Sequence, residues 1–392
     1  MTIGRLRHIY VVPANRVLNE RIFNYDIEID YVKGKYDLDI TRIVFDDAKD
    51  PLISENNRRI CDKHNWFFLS YSQQVEMFEK IVSQIRIEEN DKRILHELFF
   101  PKELSYGAIA NRIIVFSNYF HFDVIHRRDS DTALYEKGQR FPMDFEIEIL
   151  KKEKFPYIVG GGYIGDWAIA YEDVSDEILY ELVLNGYMYS GMKEIEKNIN
   201  FRFINNEMIE DEGYSQVNNL LVELGNCMMT KIYSLLPCNP AKYTNGVDYI
   251  YHWIANSMGI GQYYHSAKVR HLHPKHEKKE YLYHYGFAKS RATNVYFYEL
   301  YNDLELKKSG AVINNKQIIQ KIVNNFNFIE LEKKSRQVLR RHIDLLKQED
   351  AYVEIAQRLN DDYEKIIREV KRDIYNYQFL LRFWEKILMI RS

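Results

Sequence analysis

Short apolar runs rich in β-branched residues alternate with helix-like segments through the first third of the chain, and this alternation constrains the fold more than any other feature. The runs are HIYVV at 8–12, RIVF at 42–45, WFFLSY at 66–71 and FDVI at 122–125. Between them lie ISENNRRICDKH and the longer LSYGAIANRIIVFSNYF, both of helical character. Alternation of this kind implies βαβ units and a mainly parallel sheet. Such sheets bind ligands beyond the carboxyl ends of their strands, so the residues that follow each run are where function is to be sought.

Those ends are polar. The first run leads into Pro13, Ala14 and Asn15, the second into Asp46 and Asp47, and the fourth into HRRDSDT at 126–132. In that last stretch Asp129 and Asp131 flank a single serine. Held close without compensation, two carboxylates repel, and one of them tends to stay protonated. A divalent cation removes the conflict, because hard cations such as Mg²⁺ and Mn²⁺ take oxygen ligands and bridge to phosphate oxygens. By itself D-x-D is a common tripeptide, most often a solvated turn or a helix cap. Arg127 and Arg128 either touch phosphate or merely flank the acidic pair.

Further along, Gly107 and Asn111 sit four residues apart ahead of the fourth run, and YIVGGGYIG at 157–165 carries three consecutive glycines, a bulge or a place where a ligand comes close. Asp248 opens an apolar-periodic helix, where a carboxylate also suits the helix dipole. His271 and His273 follow a short strand, as metal ligands or as ordinary surface histidines.

The balance of 54 Lys+Arg against 57 Asp+Glu gives a formal charge of −3, which recommends no nucleic acid as partner. Three cysteines, Cys61, Cys227 and Cys238, have no metal-ligand spacing and an odd count, which predicts a reducing, cytoplasmic setting. No apolar run has the length of a transmembrane segment. After Gly310 there is neither Gly nor Pro, and Leu359, Tyr363, Ile366, Val370, Ile374, Tyr377, Leu381, Trp384 and Leu388 form an amphipathic stripe. That stripe either packs back onto the body of the protein or forms a homodimer interface through the C-terminal helices.

Taken in order, these segments resemble the family-2-like glycosyltransferases of GT-A fold. Their sequence of features is a Pro/Asn loop, an Asp pair, a G-x-x-x-N helix, D-x-D, an E-D helix start and a later His. Here the slots hold Pro13 to Asn15, Asp46 with Asp47, Gly107 with Asn111, Asp129 with Asp131, Val247 with Asp248, and His271, spanning roughly residues 6–275. The resemblance implies an α/β fold: a Rossmann-like, mainly parallel sheet flanked by helices, with a C-terminal helical extension. It implies a glycosyltransferase domain over 1–305, with a nucleotide-sugar half at about 1–135 and an acceptor half at about 136–305, and a helical region at 310–392.

Carried over position by position, it implies that Pro13, Asn15, Asp46, Asp47, Gly107, Asn111 and Asp129 bind the donor, with Asp129 nearest the ribose or sugar. Asp131 and His271 would hold Mn²⁺ or Mg²⁺, with His273 as substitute for His271. Asp248 would be the general base that takes the acceptor hydroxyl's proton in an inverting transfer, with Glu210 and Asp211 as the fallback. Val247 departs from the usual Glu and removes one acceptor contact. The implied partners are a nucleotide-sugar donor, foremost a UDP-sugar, and a small-molecule or glycan acceptor.

Two other functions compete with this one. A sugar-phosphate nucleotidyltransferase needs a Gly-rich loop after its first strand, and PANRVLNE offers Arg16 but no glycine. A catalytically silent carbohydrate- or protein-binding relative would suit the 31 tyrosines and the loss of Glu at position 247, but it has no need of a base or a metal set.

Overall fold

A computed structural model describes residues 6–135, 140–153, 158–166, 213–216, 224–231, 236–244, 261–272, 281–303 and 328–392. Four strands run parallel in the order β3-β2-β1-β4: β1 (His8–Ala14), β2 (Ile40–Asp46), β3 (Phe67–Leu69) and β4 (Val124–Arg128). The sheet continues through β9 (Asn226–Thr230), antiparallel to both β4 and β6 (Ile158–Gly160), then through β10 (Gln262–His265), parallel to β6, to an edge strand β8 (Tyr214–Gln216). This is the expected architecture, a mainly parallel eight-stranded sheet flanked by helices. A second sheet, absent from the sequence reading, joins β5 (Thr132–Leu134), β11 (Val269–Leu272) and β7 (Tyr163–Asp166).

The helices between the parallel strands are α1 (Tyr25–Tyr36), α2 (Pro51–Lys63), α3 (Tyr71–Ser83), α4 (Glu89–Phe99) and α5 (Tyr106–Tyr119). Local chemistry sets their starts. Asp50 accepts from the Leu52 amide with Pro51 in the first turn, Ser70 and Gln73 form a reciprocal capping box, and Ser105 accepts from the Ala108 amide. Alternation along β1 then divides the core. Tyr10, Val12 and Ala14 pack with Ile29 and Val32 of α1 and with Met143 and Ile147 of α6 (Pro142–Lys152) on one face. Ile9 and Val11 face α4, α5 and the C-terminal helices on the other.

Those C-terminal helices are α7 (Tyr281–Asp303), α8 (Phe328–Leu346), α9 (Val353–Asp361) and α10 (Tyr363–Met389). The amphipathic stripe is used within the chain. Leu359, Ile366, Val370, Ile374, Tyr377, Leu381 and Trp384 are buried in the same cluster as Ile9 and Val11, with Tyr363 and Leu388 packed against it. Asn118 donates to the Leu388 carbonyl at 2.6 Å and the Ser392 amide to the Tyr119 carbonyl at 3.1 Å, so the last helix is fastened directly to α5. The boundary expected near residues 305–310 lies outside the described residues. No helix among those described is long and apolar enough to cross a membrane.

Candidate active site

The carboxyl ends of β1, β2 and β4 point the same way, because all three strands are parallel. The register pairs His8 with Val124 and Val11 with Arg127, so the chain leaves β1 and β4 at the same end of the sheet. The loop after β1 and the D-S-D stretch therefore lie side by side. Pro13 is buried and Asn15 exposed, its Oδ1 accepting from Arg16 Nε at 3.4 Å.

D-S-D is a tight turn. The Asp129 carbonyl accepts from the Thr132 amide at 3.1 Å and from Thr132 Oγ1 at 2.7 Å, and Tyr25 Oη lies 2.8 Å from the same Thr132 hydroxyl. Thr132 opens β5, and β5 pairs antiparallel with β11 so that Thr132 stands opposite His271. The Leu272 amide donates to the Asp131 carbonyl at 2.7 Å. These backbone bonds bring His271 Nε2 to 3.8 Å from Asp131 Oδ1, with the Tyr163 ring tilted against the imidazole at 5.3 Å. Arg16 Nη2 lies 3.7 Å from Asp131 Oδ2.

A carboxylate oxygen suits Mn²⁺ and Mg²⁺, an imidazole nitrogen suits Mn²⁺ better than Mg²⁺, and neighbouring donors each about 2.1 Å from an octahedral ion stand about 3 Å apart. The donor types fit Mn²⁺, and the 3.8 Å spacing would have to shorten around the ion. Among the described residues no group of three His, Cys, Asp or Glu side chains could hold an ion, so the remaining positions would fall to water and to phosphate oxygens of a bound donor.

Asp129 faces a different wall. Its Oδ1 accepts from Arg127 Nη2 at 3.0 Å, and its amide donates to the Gly225 carbonyl at 3.0 Å. A β-carbon on Gly225 would lie 2.2 Å from Asp129 Oδ2 and 2.1 Å from the Tyr163 hydroxyl, so only glycine allows this approach. Beneath the turn, Arg128 is wholly buried inside β4. Its Nη1 donates to Glu146 Oε1 at 2.9 Å and Nη2 lies 3.3 Å from Glu28 Oε1, which also accepts from Tyr10 Oη at 2.5 Å. Glu146 Oε2 lies 2.6 Å from His126 Nδ1, and His126 Nε2 lies 3.1 Å from His8 Nδ1. Burial works to raise the Glu146 pKa, but the Arg128 guanidinium and then His126 hold it down at about 2. Burial, reinforced by His126, pushes His8 down to about 3, so the chain runs from neutral His8 through His126 to an ionised Glu146.

At the end of β2 the two aspartates separate. Asp46 is buried, its carboxyl pushed up by burial, and its Oδ1 accepts from Asn57 Nδ2 at 3.1 Å. Asn57 also donates to the Arg16 carbonyl and accepts from the Leu18 amide, both at 2.9 Å, so Asp46 helps hold the β1 loop. Asp47 Oδ1 accepts from Arg112 Nη2 at 2.5 Å. That guanidinium also donates to the Phe99 carbonyl and lies over the Tyr71 and Phe100 rings.

Gly107 and Asn111 lie on the face of α5 that meets residues 238–239. Asn111 Nδ2 donates to the Cys238 carbonyl at 2.9 Å and its Oδ1 accepts from the Cys238 amide at 2.5 Å. A β-carbon on Gly107 would stand 1.9 Å from the Asn239 carbonyl oxygen. Both residues thus anchor the segment 236–244. Asp248, Val247, His273, Glu210 and Asp211 lie outside the described residues. Arg112, Tyr163, Gly225 and the pairing of Arg16 with Asp131 escaped the sequence reading. No local pattern announces them, since each acts through a contact with a distant strand.

No curated protein matches the chain. Similar solved structures include mannosyl-3-phosphoglycerate synthase from Rubrobacter xylanophilus, 11% identical over 77% of this chain and 76% of that one, with a TM-score of 0.39. The mannosyltransferase PcManGT from Pyrobaculum calidifontis, in complex with GDP-Man and Mn²⁺, is 9% identical over 97% and 88% with a TM-score of 0.38. S. aureus TarS (residues 1–349) is 10% identical over 97% and 92%, with a TM-score of 0.37. In sequence, one family model matches residues 7–155 and 144–392, and the chain therefore belongs to that family, DUF6271, a family of unknown function.

Proposed function

We propose that the protein is a metal-dependent, inverting glycosyltransferase that moves a sugar from a nucleotide-sugar donor to an acceptor hydroxyl. The observation that carries this reading is the meeting of Asp131 with His271 beside Asp129, at the carboxyl ends of parallel strands. Strand ends of this kind are where open α/β sheets bind ligands.

In this reading the donor lies across the ends of β2, β1 and β4. Asp47, steadied by Arg112, accepts from a ring N–H of the base. Uracil and guanine both present such a group, with a UDP-sugar as the first donor to test. Pro13 and Asn15 border the nucleoside, Asp129 faces the ribose or sugar, and Asp131 with His271 holds Mn²⁺ or Mg²⁺. Bound there, the ion would offset the negative charge of the departing diphosphate as a Lewis acid. Asp46, Gly107 and Asn111 support the site through the loops they hold. The acceptor oxygen attacks the anomeric carbon, the bond to the diphosphate oxygen breaks, and Asp248 takes the hydroxyl proton.

The test is calorimetric titration of UDP and GDP in the presence and absence of Mn²⁺, followed by assay of nucleoside diphosphate release from UDP- and GDP-sugars. Metal-dependent binding with release supports the reading. Binding without release from any donor favours a silent binding protein, and failure to bind any nucleotide sinks the proposal.

A further inference from the structure

Four arginines stand at or under the strand ends, and three of them are enclosed. The side chains of Arg112, Arg127 and Arg128 are 2%, 7% and 0% exposed, each paired with a carboxylate, whereas that of Arg16 is 40% exposed. Its contact with Asp131 is long for a hydrogen bond at 3.7 Å, so the attraction is chiefly electrostatic and weak. The backbone that carries Arg16 is firmly held. The Arg16 carbonyl accepts from buried Asn57, which also bonds the Leu18 amide and Asp46. Arg16 is thus a long cationic arm on a fixed base, resting against the carboxylate that would also receive a metal ion.

We propose that Arg16 is a diphosphate-binding residue that exchanges partners: it rests on Asp131 when no donor is bound and transfers to the donor's diphosphate when one arrives. This inference rests on the glycosyltransferase reading. A cation that shares Asp131 with an incoming metal ion is repelled by it, and the diphosphate that accompanies the ion supplies the nearest new negative charge. The planar guanidinium fork matches phosphate oxygens in pairs, which a lysine ammonium cannot do. The exposure of Arg16 lets it move, while its anchored carbonyl keeps that movement within reach of the strand ends.

The experiment is calorimetry on wild type, Arg16→Ala and Arg16→Lys, titrated with Mn²⁺ alone and then, in Mn²⁺, with UDP, GDP, ADP, CDP and TDP. The nucleoside diphosphate that binds tightest is compared with its parent nucleoside. In Arg16→Ala the diphosphate should bind about tenfold more weakly. The nucleoside should bind as in wild type, Mn²⁺ alone no more weakly, and Arg16→Lys should fall between. Equal diphosphate affinity in wild type and Arg16→Ala overturns the role of Arg16 and leaves the donor reading intact. Equal weakening of nucleoside and diphosphate also overturns it, because it marks a structural effect. Wild type that binds none of the five diphosphates sinks the donor reading and the inference together.

Discussion

Arg128 and Glu146 form a 2.9 Å ion pair at a depth where neither side chain reaches solvent, two residues below the acidic turn at Ser130. Placing a charged strand residue in the core is unfavourable unless each charge is matched, and here Glu146 and Glu28 both face one guanidinium. The arrangement makes β4 a rigid support for the turn that follows it.

Removing the cation alone should therefore be costly. Arg128→Met leaves two buried carboxylates without their partner and should destabilise the fold by about 3–5 kcal/mol. Urea unfolding followed by circular dichroism measures this directly. An unchanged midpoint would mean that water or a rearranged side chain takes over the arginine's role.

Acid should weaken the fold well before carboxylates titrate. His8 is held at about 3 by burial and then by His126, and His265 at about 4 chiefly by burial. Unfolded histidines take up a proton near their ordinary 6.5. Between that pH and the depressed folded values the unfolded chain binds more protons, so stability is complete above about 6.5 and falls below it. Each histidine contributes a slope of about 1.4 kcal/mol per pH unit in its window. Glu146, depressed to about 2, adds a further loss once the pH passes below its ordinary 4.5. Unfolding midpoints at pH 7.5, 6 and 5 test this; a flat profile would refute it.

Gly225→Ala and Gly107→Ala should both damage the protein, but in different ways. The first pushes on the Asp129 carboxylate and the Tyr163 hydroxyl, side-chain atoms that can shift, and should lose about 1–3 kcal/mol of stability together with donor affinity. The second meets the Asn239 carbonyl, which is backbone, and should be the more destabilising of the two. Paired unfolding curves and UDP titrations separate the effects; wild-type donor affinity in folded Gly225→Ala would show that Asp129 does not face the donor.

Donor binding and proton transfer should separate by mutation. Asp131→Ala should remove metal-dependent nucleotide binding, whereas Asp248→Asn should bind nucleotide normally and lose transfer. Calorimetry and a product assay on the same preparations decide it, and undiminished transfer in Asp248→Asn would move the base to Glu210 or Asp211.

Much of this scaffold was legible because it depends on local patterns. The runs at 8–12 and 42–45 lie within β1 and β2, and the helical segments that follow the second run became α2 and α5, started by Asp50 and Ser105. The C-terminal stripe likewise became helical, Leu359 closing α9 and the rest lining α10, with its apolar face inward. What stayed hidden depends on register. FDVI at 122–125 concealed a strand that runs on through His126, Arg127 and Arg128, because charged residues read as a strand's end unless their partners are known. The partners come from two other helices, Glu28 from α1 a hundred residues earlier and Glu146 from α6, 18 residues later. Asn111 illustrates the opposite case: the sequence pattern places it on a helix, but only the structure shows its amide holding Cys238.

The small sheet of β5, β11 and β7 also determines how the protein could be divided. Its central strand comes from beyond residue 260, yet it clasps a strand that begins one residue after Asp131. A fragment ending near residue 135 would retain both aspartates of the turn and every parallel strand from β1 to β4, but would lack the imidazole opposite Thr132. Coexpressed halves would have to zip β11 onto β5 in register before they could recover the site, and a slip of one residue would turn His271 to the other side of the sheet. If Asp131 and His271 hold Mn²⁺ as proposed, its binding by a reassembled split chain would report the formation of that one antiparallel pairing.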